Sequence, residues 1–182
     1  RGLGDVYKRQ VLLGALMAWV VLKAAKLLFP RRYAWMFTAL VVFLPGNVIL
    51  YSYVNCDALA MCSTAIIFYS WVKAYKEGWN WTTCAVSAIG MGLCFLSYYN
   101  AYGFILTTFF FFVGTMLTDQ EKAPKERWKE MIQKGLFILV IVCVIALWWF
   151  IRNAILYHGD FLGRETSSCL LYTSPSPRDR QK

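Results

Sequence analysis

Long apolar runs separated by short polar connectors are the dominant pattern along this chain. A helix needs about 20 mostly apolar residues to cross a hydrocarbon core of about 30 Å. Six segments approach that length, at residues 11–28, 33–53, 58–72, 81–96, 102–117 and 135–157. The pattern predicts an all-α, polytopic membrane helix bundle with about six transmembrane helices, the second of them interrupted by Pro45-Gly46.

The positive charges predict how these helices are oriented. Lysine and arginine in short loops are retained on the cytoplasmic side of a membrane. Eleven basic residues fall at the first, third and fifth connectors, namely Lys23, Lys26, Arg31, Arg32, Lys73, Lys76, Lys122, Lys125, Arg127, Lys129 and Lys134. The second and fourth connectors carry none. We therefore expect residues 55–57, 97–101 and 158–166 at the outer face, and the Trp and Tyr side chains near helix ends, Trp79 among them, at the two interfaces.

Both ends of the chain differ from its apolar middle. The opening RGLGDVYKRQ and the closing CLLYTSPSPRD can be encoded by reverse-complementary nucleotide strings, which resemble the adapter of transposase-based sequencing libraries. We expect residues 1–10 and 169–182 to be translated adapter, and residues 11–168 to be a truncated, internal transmembrane fragment. The alternative is a genuine basic N-terminus and a disordered Pro/Ser tail at the other end.

Composition places the chain in the membrane class, since 59% of its residues are hydrophobic. Its net charge is +9, but without the expected adapter 13 basic and 8 acidic residues leave +5. The basic balance therefore predicts no nucleic-acid partner. The cysteines within residues 11–168 form no CxxC pair and are read as small buried hydrophobes, so no metal site and no cofactor is predicted.

The polar segment at residues 121–134, EKAPKERWKEMIQK, has an amphipathic pattern. It predicts a short helix on the cytoplasmic membrane surface, with Trp128 and Met131 facing lipid. A solvated loop is the alternative.

The first candidate site lies where the second apolar segment ends and the third begins. Asn55 and Asp57 are polar groups at the predicted outer boundary, close to water. Either residue could simply cap the third helix by accepting its unpaired N–H groups. The functional interpretation is that they shape an outward-facing cleft and contact substrate there.

The second candidate site is the end of the last apolar segment. Arg152 follows the aromatic run Trp148-Trp149-Phe150, and a charge inside a spanning segment usually faces protein or a cavity. Its planar guanidinium could grip a lipid-linked phosphate bidentately, with Asn153 bonding the same group. Snorkelling to headgroups is the alternative for Arg152. Asp160 follows in a predicted turn with His158 and Gly159.

These two stretches resemble the membrane region of polyprenyl-phosphate-dependent glycosyltransferases of the GT-C type, including protein mannosyltransferase and aminoarabinose transferase relatives. The matching residues are SYVNCDALA at 52–60 and WWFIRNAILYHGDFLG at 148–163, in which His158 and Phe161 depart from the pattern. The resemblance implies a multi-pass protein of the cell membrane that transfers a sugar from a lipid-phosphate-linked donor at the outer face. Its partners would be membrane lipid and a polyprenyl-phosphate sugar. The family's catalytic acidic residue, which acts as the base, would precede this chain, so the catalytic residues are unknown.

Two other classes of protein fit the same pattern. A transporter or permease favours broken helices, and Pro45-Gly46 and the segment SYYNAYG could be such breaks. The charged residues here argue against a transporter, because they lie near helix ends and not at the membrane midplane. A non-catalytic membrane scaffold is the third possibility. An acidic outer loop upstream favours the transferase, whereas further helices repeating this hydropathy pattern favour the transporter.

Overall fold

The computed structural model describes residues 3–52, 56–97, 101–118 and 123–156, with side chains from residue 8 onward. Every regular element in these ranges is a helix. The helices are α1 (Leu3–Leu28), α2 (Arg31–Val42), α3 (Pro45–Ser52), α4 (Asp57–Glu77), α5 (Trp81–Leu96), α6 (Tyr102–Thr118) and α7 (Pro124–Leu156). The predicted all-α helix bundle is confirmed.

Three of these helices, α1, α4 and α7, are long and apolar enough to cross a membrane. The bent pair α2 and α3 makes a fourth span if its two parts cross together, and α5 and α6 are apolar but shorter. Counting α5 and α6 as short spans gives six, which is consistent with the prediction, and the number of crossings itself stays a prediction. Residues 3–10, which the sequence assigns to adapter, begin α1, and the boundary at residue 10 stays a prediction.

The chain divides into two compact units, residues 1–145 and 146–182. The first unit contains α1 to α6 and most of α7. Of the second unit, the structure describes residues 146–156, the end of α7.

The break between α2 and α3 is caused by Pro45. The two helices meet at a bend of 59°. Proline has no N–H to donate to the carbonyl four residues earlier, which here is that of Val41. Asn47 replaces this bond, because its Nδ2 donates to the Val41 oxygen at 2.7 Å and its side chain is buried. The predicted interruption at Pro45-Gly46 is confirmed, and Asn47 is the residue that stabilises it.

Small side chains bring α4 and α5 into close contact. Gly90 on α5 lies against Ile66 and Ile67 of α4, and a Cβ at residue 90 would be 2.9 Å from Ile67 Cγ1 and 3.1 Å from the Ile67 backbone nitrogen. The fully buried side chains along this pair are mostly Cys, Ser and Ala. Close approach of small residues is how helices associate inside lipid, where water does not drive them together.

Two indole N–H groups fasten α6 to the rest of the bundle. Trp71 Nε1, on α4, donates to Thr108 Oγ1 at 3.1 Å, and Trp79 Nε1, in the turn after α4, donates to Thr115 Oγ1 at 2.7 Å. The partner residue numbers rise together along both segments, so α4 and α6 run in the same direction and α5 returns between them. Trp79 is only 5% exposed. Its ring therefore faces the inside of the bundle, and its predicted depth at a membrane interface stays a prediction.

The last helix, α7, is continuous over 33 residues from Pro124 to Leu156. At a rise of 1.5 Å per residue it is about 50 Å long, well beyond a hydrocarbon core of about 30 Å. The predicted surface helix is therefore not a separate element but the first turns of the last span. Trp128 is exposed as predicted, whereas Met131 packs against the buried cluster of α4, α5 and α6.

The turn between α4 and α5 is ordered by a glycine and a capping residue. Gly78 ends α4 with φ of 77°, a left-handed conformation that favours glycine. Asn80 begins α5, and its Oδ1 accepts from the Thr83 backbone N–H and the Thr83 hydroxyl, each at 2.9 Å. The hydroxyl of Thr82 also donates to it at 2.6 Å and in turn accepts from Lys73 Nζ at 3.3 Å.

We predict that Asn80→Ala lowers the free energy of unfolding by about 1 kcal/mol, because it removes the acceptor for the first turn of α5. Unfolding of the purified protein in mixed detergent micelles measures the change. Asn80→Asp is the matched control, since a carboxylate keeps the capping acceptor. Equal loss in both variants would contradict a capping role.

Candidate functional site

The first candidate site is built at the start of α4. The Tyr51 hydroxyl, near the end of α3, donates to the Ala58 carbonyl at 3.4 Å. The Tyr51 ring also lies against Gly14 of α1, where an added Cβ would be 3.2 Å from the ring. Residues of α1 and α3 therefore fix the beginning of α4 and hold Asp57 in place.

Asp57 is the first residue of α4 and is partly buried. Its Oδ1 lies 4.0 Å from the Cys56 thiol, which donates a weak hydrogen bond to it. Cys56 occupies the N-cap position and makes no side-chain capping bond. The alternative that Asp57 is the N-cap is wrong, because its backbone is already helical. An acid in the first turn is still favourable there, since the N-terminal end of a helix carries partial positive charge.

The second candidate site is the last turns of α7, in the second unit. Arg152 is exposed, and its Cζ lies 5.4 Å from the centroid of the Trp149 ring, one turn earlier. Trp148 and Trp149 pack edge to face at 5.8 Å. A guanidinium over an indole face is attracted by the ring quadrupole. Arginine also suits phosphate oxygens, because its N–H groups can form paired bonds to them.

Asn153 is next to Arg152 but lies in different surroundings. It is 6% exposed, and the residue takes part in an interaction within the protein. Successive residues on a helix are turned by about 100°, so the two side chains leave α7 in different directions. The structure thus combines an exposed cation and a buried amide at one helix end.

Asn55 and Asp160 lie outside the described residues, as do Tyr157, His158 and Gly159. Asp57 belongs to the first unit, and Arg152 and Asn153 belong to the second. The structure therefore brings together Arg152, Asn153 and Trp149 on one helix, and it positions Asp57 by itself at the start of another. Their proposed common cleft stays a prediction.

Trp149 is the functional neighbour that the sequence interpretation missed. It was assigned only to an interfacial belt, yet it supports the Arg152 guanidinium. The three-residue spacing of Trp149 and Arg152 within a helix was the signal that could have shown this contact, because positions i and i+3 lie on one face.

No group of three or more His, Cys, Asp or Glu side chains that could hold a metal ion occurs within the described ranges. The cysteines found there, Cys56, Cys62, Cys84, Cys94 and Cys143, are free thiols. Cys62, Cys84 and Cys94 are fully buried in the helix bundle, as their apolar surroundings in the sequence predicted. Cys143 is only partly buried, and the expectation is wrong for Cys56, which is exposed because it precedes α4 in a connector.

Residues 5–150 match the family described as dolichyl-phosphate-mannose-protein mannosyltransferase. The matched range includes Asp57, α1 from residue 5 onward and all of α2 to α6, and it ends just before Arg152. No curated protein and no solved structure matches the chain.

Proposed function

Because the chain belongs to the dolichyl-phosphate-mannose-protein mannosyltransferase family, membrane glycosyltransferases of the GT-C type, we propose that it transfers a sugar from a polyprenyl-phosphate-linked donor. The transfer takes place at the outer face of the cell membrane, which the chain crosses several times. A lipid-linked sugar has its headgroup in water and its tail in the bilayer. The reacting groups must therefore meet at the boundary where the helices end.

The arrangement of Arg152 on Trp149 is the observation that carries this proposal. An arginine at the end of a spanning helix meets lipid phosphates at the depth of the headgroups. Its stacking on the indole restricts the guanidinium before any ligand binds, so less conformational entropy is lost on binding. Arg152 then binds the phosphate of the donor through paired N–H···O bonds.

The other proposed residues assist this phosphate site. The buried Asn153 positions the end of α7. This keeps the neighbouring guanidinium of Arg152 in place. Asp57 and Asn55 shape the cleft at the start of α4, and Asp160 extends it after α7. The alternation of basic connectors supports an outer-face position for all five residues, because each intervening span reverses the direction of the chain.

We predict that Arg152→Ala lowers kcat/KM for a polyprenyl-phosphate sugar about 10- to 100-fold, the loss expected from removing charge-assisted bonds to a phosphate. Transfer of radiolabelled sugar by the purified full-length protein, inserted in proteoliposomes, measures the effect. Arg152→Lys is the matched variant. Lysine keeps the positive charge but lacks the planar guanidinium that forms paired bonds, so we expect an intermediate loss of kcat/KM. Wild-type kinetics for Arg152→Ala, with normal insertion, would refute the phosphate role.

A transporter is the second candidate, and the 59° bend at Pro45 favours it, since broken helices recur in transporters. The two functions differ in what happens to the donor. A transporter moves the intact lipid-linked sugar between leaflets, whereas a transferase separates the sugar from its phosphate carrier. Free carrier lipid among the products of the proteoliposome assay therefore indicates transfer, and its absence with full donor translocation indicates transport.

A further inference from the structure

An apolar crevice opens between α5, α6 and α7 within the first unit, with a volume of about 480 Å³. This volume falls in the range of ligand pockets, roughly 300–1,000 Å³. Its walls are Met91 and Phe95 of α5, residues of α6 between Ile105 and Val113, and residues of α7 between Met131 and Val142. None of its lining residues belongs to either candidate site.

The crevice offers no polar group that needs a partner from a ligand. Thr108 is its polar lining residue. The Thr108 hydroxyl donates to the Phe104 carbonyl at 2.6 Å and accepts from Trp71 Nε1 at 3.1 Å. It is therefore already used both as a donor and as an acceptor. An occupant that fits these walls is an alkyl chain, since a polar ligand would lose its hydrogen bonds to water without replacement.

One end of the crevice is marked by Arg127. This residue precedes Met131 by one turn of α7, and its Nη1 donates to the carbonyl of Leu117 at 2.8 Å. Leu117 in turn follows Val113 by one turn of α6. The bond between Arg127 and Leu117 therefore lies one turn beyond the crevice on both helices and fixes the guanidinium there. A guanidinium has five N–H groups, and this bond uses one of them.

The charge around this end is positive. Between residues 124 and 134, α7 carries four basic residues, Lys125, Arg127, Lys129 and Lys134, against the acids Glu126 and Glu130. Lys134 and Glu130 neutralise each other in a partly buried pair. The basic-connector pattern puts this end of α7 on the cytoplasmic side, where the membrane surface is negatively charged.

From this arrangement we propose that the crevice binds one anionic glycerophospholipid of the cytoplasmic leaflet. An acyl chain lies between α6 and α7, and Arg127 binds the headgroup phosphate. Basic groups beside an interhelical crevice on the cytoplasmic side are the chemistry that recognises such headgroups. The lipid fills the space beside Gly135 and connects α7 to α6, where the two helices leave a gap.

Native mass spectrometry of the protein, reconstituted in nanodiscs with phosphatidylglycerol and phosphatidylcholine and then released into mild detergent, tests this site. We expect wild-type protein to retain one phosphatidylglycerol. Arg127→Gln should weaken that retention about tenfold, because it removes a charged hydrogen-bond donor from the phosphate. Lys129→Gln is the matched control: it removes the same charge, but two residues turn the helix by about 200°, away from Arg127. It should retain the lipid.

A second variant tests the acyl-chain part of the site. A Cβ at Gly135 would have Phe112 Cε1 as its nearest neighbour, at 3.7 Å, which is ordinary contact. Gly135→Leu starts from a Cβ that meets no clash and extends into the crevice. We expect this variant to retain no phospholipid while unfolding at the wild-type temperature or above. Equal retention of the two lipids by wild type, or equal loss from Arg127→Gln and Lys129→Gln, would overturn the proposal. So would a polyprenyl phosphate or a second copy of the chain in the crevice.

Discussion

Gly90→Leu should destabilise the protein by about 3 kcal/mol or more, which is the upper range for inserting bulk into a packed interior. Even a single Cβ at this position would lie 2.9 Å from Ile67 Cγ1 and 3.1 Å from the Ile67 nitrogen. Because one of these neighbours is backbone, side-chain rotation alone cannot relieve the clash. The helices α4 and α5 must separate, and the buried Ser, Cys and Ala side chains between them lose contact. Unfolding in mixed micelles measures the loss.

Gly114 is the matched control for this substitution. It lies within α6, is exposed, and has nothing within 4 Å of an added Cβ. Gly114→Leu therefore keeps all packing and gains helix propensity, worth up to about 1 kcal/mol. We expect it to be neutral or stabilising. Similar losses at the two glycines would mean that leucine harms these helices for a reason other than contact between α4 and α5.

The helices of the first unit could be predicted closely from hydropathy, because their apolar runs end at turn residues. The expected runs at 81–96 and 102–117 correspond to α5 (Trp81–Leu96) and α6 (Tyr102–Thr118). Pro45 gave the position of the bend, since a missing N–H acts locally. The start of α7 could not be predicted. Its first turns are polar and the rest is apolar. Hydropathy therefore divides a segment that backbone hydrogen bonds make into one continuous helix.

The candidate sites were predictable only as residue types. Arg152 was identified because a charge in an apolar run is costly, and this argument needs no neighbours. Its support by Trp149 depends on helix geometry, and the burial of Asn153 depends on tertiary packing. The crevice beside Arg127 was not predictable at all. It arises from a gap between α6 and α7. The residue pattern of one helix does not show how far that helix lies from its neighbour.

Trp79→Ala should cost about 3–5 kcal/mol, the usual loss for truncating a large buried aromatic side chain. The ring of Trp79 is 4.9 Å from that of Phe112 and 6.2 Å from that of Phe111, edge to face in both cases. It enters the bundle from a turn and fastens α6 to the end of α4, so its removal leaves a cavity at the junction of three helices. The population of folded protein after detergent extraction, and its unfolding midpoint, measure the effect.

The hydrogen bond from Trp79 to Thr115 should account for only a small part of that loss. Thr115 Oγ1 accepts from the indole at 2.7 Å and itself donates to the Phe111 carbonyl at 2.6 Å. Side-chain hydrogen bonds between membrane helices average about 0.6 kcal/mol, because the unfolded state in lipid also finds partners. A double-mutant cycle of Trp79→Phe and Thr115→Val should therefore give a coupling of about that size. A coupling as large as the whole Trp79→Ala loss would show that the bond, and not the packing of the ring, holds α6 in place.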